Sequence, residues 1–247
     1  MLKQERQATI LEAVGAHHFV SIHDLMALTA SSESTLRGDL SELAEQGKLI
    51  RLRGGAQAVN DRSLSYELTL ETKMGIESEA KRKIGVYAAS LIHPGSMVYL
   101  DAGTTTLAVA KAVEAKGAKF VTNSVSIART LKSRGYQTFI TGGEFKLTTD
   151  AFIGALTQET LARFHFDMGF FGCNGVDLAQ GITTPDFEEA SVKQLAMAQC
   201  GQAYVLADHT KFGVVTAVSF HPFIGEEIIT DAIMKADYRG LGIIEVK

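Results

Sequence analysis

Asp101-Ala102-Gly103-Thr104-Thr105-Thr106 carries the residue types that hold a small anion. Anions bind where backbone N–H groups converge between the end of a strand and the start of a helix. Gly103 lets the backbone come close, and the three threonines add hydroxyl donors. The stretch lacks the Gly-Lys-Ser/Thr ending of a P-loop, so one phosphate on a small ligand suits it better than a nucleoside triphosphate. Asn123 and Ser124 occupy the corresponding turn after the next apolar run. Gly142 and Gly143, then Gly172, Asn174 and Gly175, follow in similar settings. Loops at the C-terminal ends of parallel strands gather into one crevice, so these residues are expected along one rim. Further on, Lys193 or Lys211 would neutralise a phosphate, and an acid such as Asp101 would hold sugar hydroxyls. Glu188 and Asp208 are expected beside them, whereas Glu189 reads as a surface ion-pairing residue.

A second chemistry lies near the start of the chain. Ser32, Glu33, Ser34, Thr35 and Arg37 open a helical pattern, and hydroxyls with a guanidinium at that place suit contact with DNA. Lys48, Arg51 and Arg53 place three cations within a short Gly-Gly hairpin, where they would meet a phosphate backbone.

The elements that must position these groups can be read from spacing. Ile10, Leu11 and Val14 mark a first helix over residues 3–15. Ser21 caps a second helix with Ile22, Leu25, Met26 and Leu28. Ser32 caps a third, with Leu36, Leu40 and Leu43 on one face, ended by Gly47. Residues 48–55 read as a strand, a tight turn and a return strand. Three helices and a hairpin make a winged helix-turn-helix over residues 1–58. Residues 59–78 are polar and read as a linker. From residue 79 to 247, helices alternate with short apolar runs at Met97–Leu100, Phe120–Val121, Thr138–Thr141, Met168–Phe171 and Ala203–Leu206. That alternation implies an α/β domain with a mostly parallel sheet covered on both faces.

Composition narrows the classes. The chain has 247 residues, 46% hydrophobic and 21% charged, with a formal net charge of −4. It is not a polycation, so nucleic-acid binding must come from a local patch. Residues 1–60 hold six Lys/Arg against seven acids, which leaves a small cationic footprint and a dependence on dimerisation. Cys173 and Cys200 are not spaced for metal and read as reduced thiols, in keeping with a cytoplasmic protein. The seven histidines lack ligand spacing, so no metal and no cofactor is expected. No apolar run approaches the roughly 20 residues that span a bilayer, so no membrane partner is expected.

The stretch from Ser31 to Leu40, followed by Leu43, Gly47 and Arg51–Ala56, resembles the signature of DeoR-type bacterial transcription regulators. That family usually shows Arg-Arg-Asp-Leu in the recognition helix and His-Gly-Gly-Ala in the wing. Here Arg37-Gly38-Asp39-Leu40 and Arg53-Gly54-Gly55-Ala56 stand in their place. Gly38 removes a cation and lowers helix propensity by roughly 1 kcal/mol against Ala. The later half is similar to the family's sensor at Asp101–Thr106, Thr122–Ser124, Thr141–Gly143, Phe171–Gly175, Glu188 with Lys193, and Leu206–Asp208 with Lys211–Gly213. The resemblance implies a sensor related in fold to ribose-5-phosphate isomerase and CoA transferases. It implies double-stranded operator DNA as partner, a phosphorylated sugar that weakens operator binding, and a homo-oligomer, dimer or tetramer.

Two functions fit these residues: a ligand-switched repressor of a carbohydrate operon, and a sugar-phosphate isomerase-like enzyme. The second needs a poised carboxylate to shuttle the proton and a cation to stabilise the enediolate, and Asp101, Glu188 and Lys193 would serve. The first 56 residues discriminate, because an isomerase has no use for them.

Overall fold

The computed structural model describes residues 1–17, 19–46, 48–52, 54–58 and 69–246. Its contacts divide the chain into two units: residues 1–63 with 71–76, and residues 64–70 with 77–247.

The first unit begins with α1 (Lys3–His17), which runs through Gly15 where the apolar pattern stops. A short strand follows, β1 (Phe19–Ser21), then α2 (Ile22–Thr29) and α3 (Glu33–Glu45). Ser21 and Ser32 are the N-caps of α2 and α3. Their hydroxyls accept from the amides of Asp24 (3.1 Å) and Thr35 (3.3 Å). Each satisfies a donor that the first helical turn leaves open. Strands β2 (Leu49–Leu52) and β3 (Gly55–Ala58) form the expected hairpin, and β1 adds antiparallel to β3, giving the order β1-β3-β2. The sequence reading had no β1; three residues are too few to show a period. Ile10, Val14, Leu25, Leu36, Leu40 and Leu43 meet in one core. Gly47 and Arg53, expected to end α3 and to arm the wing, lie outside the described residues.

Part of the stretch read as linker is helical: α4 (Leu70–Gly75) lies inside it, and α5 (Ser78–Ser90) begins at its end. The second unit then alternates as predicted. The order is β4 (Met97–Leu100), α6 (Thr104–Ala112), β5 (Lys119–Thr122), α7 (Val125–Ser133) and β6 (Gln137–Ile140). A hairpin of β7 (Glu144–Lys146) and β8 (Ala151–Ile153) follows, then α8 (Ala155–Leu161) and β9 (Phe166–Gly172). Next come β10 (Gly175–Asp177), β11 (Gly181–Thr184), α9 (Phe187–Ala198), β12 (Cys200–Leu206), β13 (Val218–His221), β14 (Ile228–Thr230) and β15 (Ile244–Glu245). Seven of these strands pair in parallel in the order β15-β14-β12-β9-β4-β5-β6. Strands β10, β11 and β13 make a small antiparallel sheet.

The large sheet is covered on both faces, and its strands show why. Val98, Leu100, Phe120, Phe170, Leu206 and Ile229 pack with α5, α6 and α7. Their neighbours Tyr99, Val121, Phe171, Val205 and Ile228 pack with α9 and the small sheet. Alternate residues point to opposite faces, so strands apolar at every position need a layer on each side. Helices α5 and α6 touch closely at Gly85, where a Cβ would sit 2.7 Å from the Ala108 carbonyl carbon.

Candidate functional site

The strand order reverses direction at β4. Chain neighbours β5 and β6 lie to one side, β9 and β12 to the other. Such a switch point opens a crevice beyond the strand C-termini. Asp101 follows β4 directly and is 1% exposed. Its Oδ2 accepts the Gly172 amide of β9 (3.1 Å) and the ammonium of Lys193 from α9. One carboxylate therefore ties both strands at the switch point to the helix packed behind them. Burial pushes the Asp101 pKa up, and Lys193 and the Gly172 N–H only partly offset this.

Asp208 follows β12 and is equally buried. Burial works to raise its pKa. Lys211, hydrogen bonds from Thr210 and the charge of Lys81 outweigh this and hold the carboxyl below the usual range. Cys173 lies within the field of all four predicted groups, Asp101, Lys193, Asp208 and Lys211, and burial drives its thiol up to about 12. It is a neutral thiol among charges, not a nucleophile. The sequence reading missed Lys81 as a member of this cluster. Its signal was its register: Lys81 falls on the buried stripe of α5 with Ile84 and Ala88.

The threonines of the anion stretch are not a loop, as expected, but the first turn of α6. Gly103 stands at its N-cap and offers no side-chain cap. The open amides of that turn are the donors an anion would use. Thr105 is buried; Thr106 is buried and donates back to the Gly103 carbonyl (2.9 Å), so its hydroxyl proton is engaged. Asn123 is engaged too. Its Oδ1 accepts from Tyr99 Oη (3.1 Å) and the Ala102 amide (2.9 Å), and its Nδ2 donates to the Phe152 carbonyl (3.2 Å). Ser124 caps α7 and donates to Asp150 (2.7 Å). These two hold the loops in place. Thr141, one residue beyond β6, has a buried hydroxyl with no hydrogen-bond partner.

Other predicted rim residues serve packing. Gly143 faces the end of β8, where a Cβ would lie 2.7 Å from the Ile153 carbonyl. Asn174 and Gly175 belong to the turn into β10 and the strand itself. The Asn174 amide donates to Thr183 (2.9 Å), and a Cβ on Gly175 would strike the Val214 carbonyl. The two glutamates of α9 are placed differently from expectation, although Glu189 does form the ion pair expected of it. Glu188 is exposed, while Glu189 is buried against Lys146 (2.8 Å) and Thr149 (2.7 Å). Helical phase decides this: Glu189 shares a face with Lys193, four residues on.

In the first unit α3 turns Leu36, Leu40 and Leu43 inward and exposes Glu33, Ser34, Thr35 and Arg37. Arg37 bonds Glu33 Oε1 through Nε (3.0 Å) and Nη2 (2.6 Å). Arg51 reaches from β2 to Ser41 Oγ (2.5 Å). Glu33, Arg37, Arg51, Gly54 and Gly55 line a notch of about 440 Å³ between α3 and the wing. Lys48 is exposed at the start of the hairpin. Arg6 grips the buried Asp39 through Nε (2.5 Å) and Nη2 (3.3 Å), fixing α1 to α3.

A winged helix-turn-helix followed by a parallel α/β unit with a buried polar cluster at its switch point defines a DNA-binding module joined to a sensor. Residues 6–62 match the DeoR-like helix-turn-helix domain, and residues 76–232 match the DeoR C terminal sensor domain. The chain belongs to the DeoR family of transcription regulators, and its family is one of regulators rather than enzymes. It is 40% identical over 226 residues to the HTH-type transcriptional regulator FruR of Bacillus subtilis, covering 91% of this chain and 88% of that one. It is 30% identical over 215 residues to the glycerol-3-phosphate regulon repressor of Escherichia coli, covering 86% and 84%. Among solved structures, a ribose 5-phosphate isomerase A of Methanocaldococcus jannaschii aligns at 13% identity and a TM-score of 0.42, covering 55% and 54%. Among the described residues, no helix is long and apolar enough to cross a membrane.

Proposed function

We propose that this chain represses a carbohydrate-utilisation operon and releases it when a phosphorylated sugar fills the switch-point crevice. The observation that carries the reading is Asp101, buried at the reversal of strand order and held by Gly172 and Lys193. Its surroundings hold both functions a sugar phosphate needs. Asp101 and Asp208 accept from hydroxyls. Lys193, Lys211 and the open first turn of α6 at Thr104 and Thr105 receive the phosphate. Repression and a phosphorylated ligand are also supported by the name of the Escherichia coli relative.

In the first unit Ser32, Glu33, Ser34, Thr35 and Arg37 enter the major groove, with Lys48 and Arg51 on the phosphates. A homo-oligomer presents two such helices roughly 34–36 Å apart on a near-palindromic operator. The sugar favours an arrangement in which that spacing is wrong. Its leverage is its differential affinity for the two arrangements, typically about 1–3 kcal/mol. The protein works in the cytoplasm, where operator and phosphorylated sugars meet.

The test uses the full chain and a duplex enriched from random DNA. Phosphorylated sugars are titrated against the complex beside their unphosphorylated forms. A phosphorylated sugar should stabilise the protein by about 2.7 kcal/mol at a hundredfold excess over its Kd. The same sugar should lower duplex affinity, and its unphosphorylated form should do neither. Duplex affinity unmoved by every phosphorylated sugar would overturn the reading.

A further inference from the structure

We infer that the β7–β8 hairpin transmits occupation of the crevice to α4, with Asn123 and Thr149 as its contacts with the two sides of the site. The inference rests on the sugar-controlled repressor reading above and names the part that makes the control work.

The chain passes from one unit to the other in α4: Leu70 groups with the α/β unit, Glu71 with the first. Leu70 opens the helix, and its amide donates to the Thr148 carbonyl in the turn between β7 and β8 (2.9 Å). A change in that turn therefore acts on the residue from which the winged-helix unit is tethered.

The same hairpin touches both sides of the crevice. On one side is Asn123, 2% exposed. Its Oδ1 accepts the Ala102 amide (2.9 Å), just ahead of the α6 turn that receives the phosphate. It meets Phe152 of β8 twice. Its Nδ2 donates to the Phe152 carbonyl (3.2 Å), and its own carbonyl accepts the Phe152 amide (2.7 Å). On the other side is α9. Thr149 donates to Glu189 (2.7 Å), and Lys146 of β7 bonds Glu189 (2.8 Å) and Asp186 (3.0 Å). Glu189 lies one helical turn from Lys193, on the same face. Three successive turn residues thus serve three different elements. Thr148 holds α4 and Thr149 holds α9. Asp150 accepts from Ser124 Oγ (2.7 Å) and the Ser126 amide (2.8 Å) at the start of α7.

The hairpin is built to follow these anchors rather than to resist them. Its two strands have three residues each and form a sheet of their own. A two-stranded hairpin that small has little stability of its own in water. Its turn is also strained, because Asp150 has a φ of 56°, in the left-handed region. A residue other than glycine keeps that conformation only where its surroundings impose it. An element with weak internal cohesion and several outside anchors shifts when one anchor moves, and coupling between distant sites needs such an element.

The experiment uses the full chain and a duplex enriched from random DNA by the wild type. The probe is whichever of glucose 6-phosphate, fructose 6-phosphate, fructose 1-phosphate and glycerol 3-phosphate weakens duplex binding most. Three quantities are read: duplex affinity alone, probe affinity alone, and the factor by which saturating probe lowers duplex affinity. For the wild type that factor should be about 5–150-fold. Leu70→Pro deletes the amide that meets Thr148, at a helix-opening position where proline is tolerated. Thr149→Val deletes the hydroxyl that meets Glu189. Both should keep the two separate affinities within about threefold of wild type, while the factor falls to about a third of its wild-type value or less. Leu70→Ala and Thr149→Ser keep the amide and the hydroxyl and should keep the factor. A folded Leu70→Pro or Thr149→Val with the full factor would overturn the inference. So would loss of the factor in Leu70→Ala, which would assign the effect to side-chain packing, or loss of probe affinity in Thr149→Val, which would make the hairpin part of the pocket. Should Leu70→Pro not fold, Thr149→Val decides. A wild type whose duplex none of the four probes loosens would strike the repressor reading itself, and this inference would fall with it.

Discussion

Charged residues in the two units live under different rules. Asp101 and Lys193 pair with side chains 2% and 6% exposed, whereas Arg37 and Glu33 pair at 63% and 48%. Removing two charges from water costs several kcal/mol per ion, so the buried pair holds only while both partners remain. The exposed pair is worth little to the fold and can be redirected at small cost. A charge buried beside the switch point is held in place by its partner within the chain. The charges of Arg37 and Glu33 on α3 stay open to solvent.

The largest test of that contrast is Lys193→Met. It leaves Asp101 buried without its cation and should remove about 3–5 kcal/mol of stability in urea unfolding at pH 7. The deficit should shrink at pH 5. The folded-state pKa of Asp101 already lies above its unfolded value, so acid favours the folded, protonated form. A loss below about 1 kcal/mol would erase the distinction between the two regions.

Next in size is Arg37→Ala. Folding stability should stay within about 0.5 kcal/mol of wild type. Affinity for the enriched duplex should fall by about 1–3 kcal/mol if Arg37 reads a base. Fluorescence anisotropy at fixed salt checks this, and an unchanged affinity would reject the base-reading role.

The smallest effect concerns Asp208, whose folded pKa lies below its unfolded value of 3.8. Its contribution is therefore present above that value and lost as pH falls through the folded pKa. Asp208→Asn should lower the urea midpoint at pH 6 and flatten its decline between pH 4 and pH 3. An unaltered acid limb would show that the carboxyl is not held as the geometry requires.

How much of this was legible in the sequence follows from what each residue depends on. The caps Ser21 and Ser32 and the inward leucines of α3 were legible because they obey local rules. So were the central strands, whose apolar runs need burial on both faces. The small sheet of β10, β11 and β13 was not, since β10 and β11 are only three and four residues long and β13 joins β11 across the intervening α9 and β12. Asp101 and Lys193 could be named singly, but their pairing joins positions 92 residues apart. Glu188 was chosen over Glu189 because spacing gave the face of α9 but not its phase against the β7–β8 hairpin. Asn123 and Thr106 had the right chemistry and are engaged within the chain itself, which no count of donors foretells.

The order of strands in the large sheet bears on how the molecule is made. Strands β14 and β15 come from residues 228–245 and border β12, which borders β9 and then β4 at residues 97–100. The winged helix closes on itself within the first 58 residues. Synthesis proceeds from the N-terminus at about 5–20 residues per second, and units tend to fold as they emerge. All the core residues of the winged helix therefore leave the ribosome several seconds before the last strands of the large sheet are made.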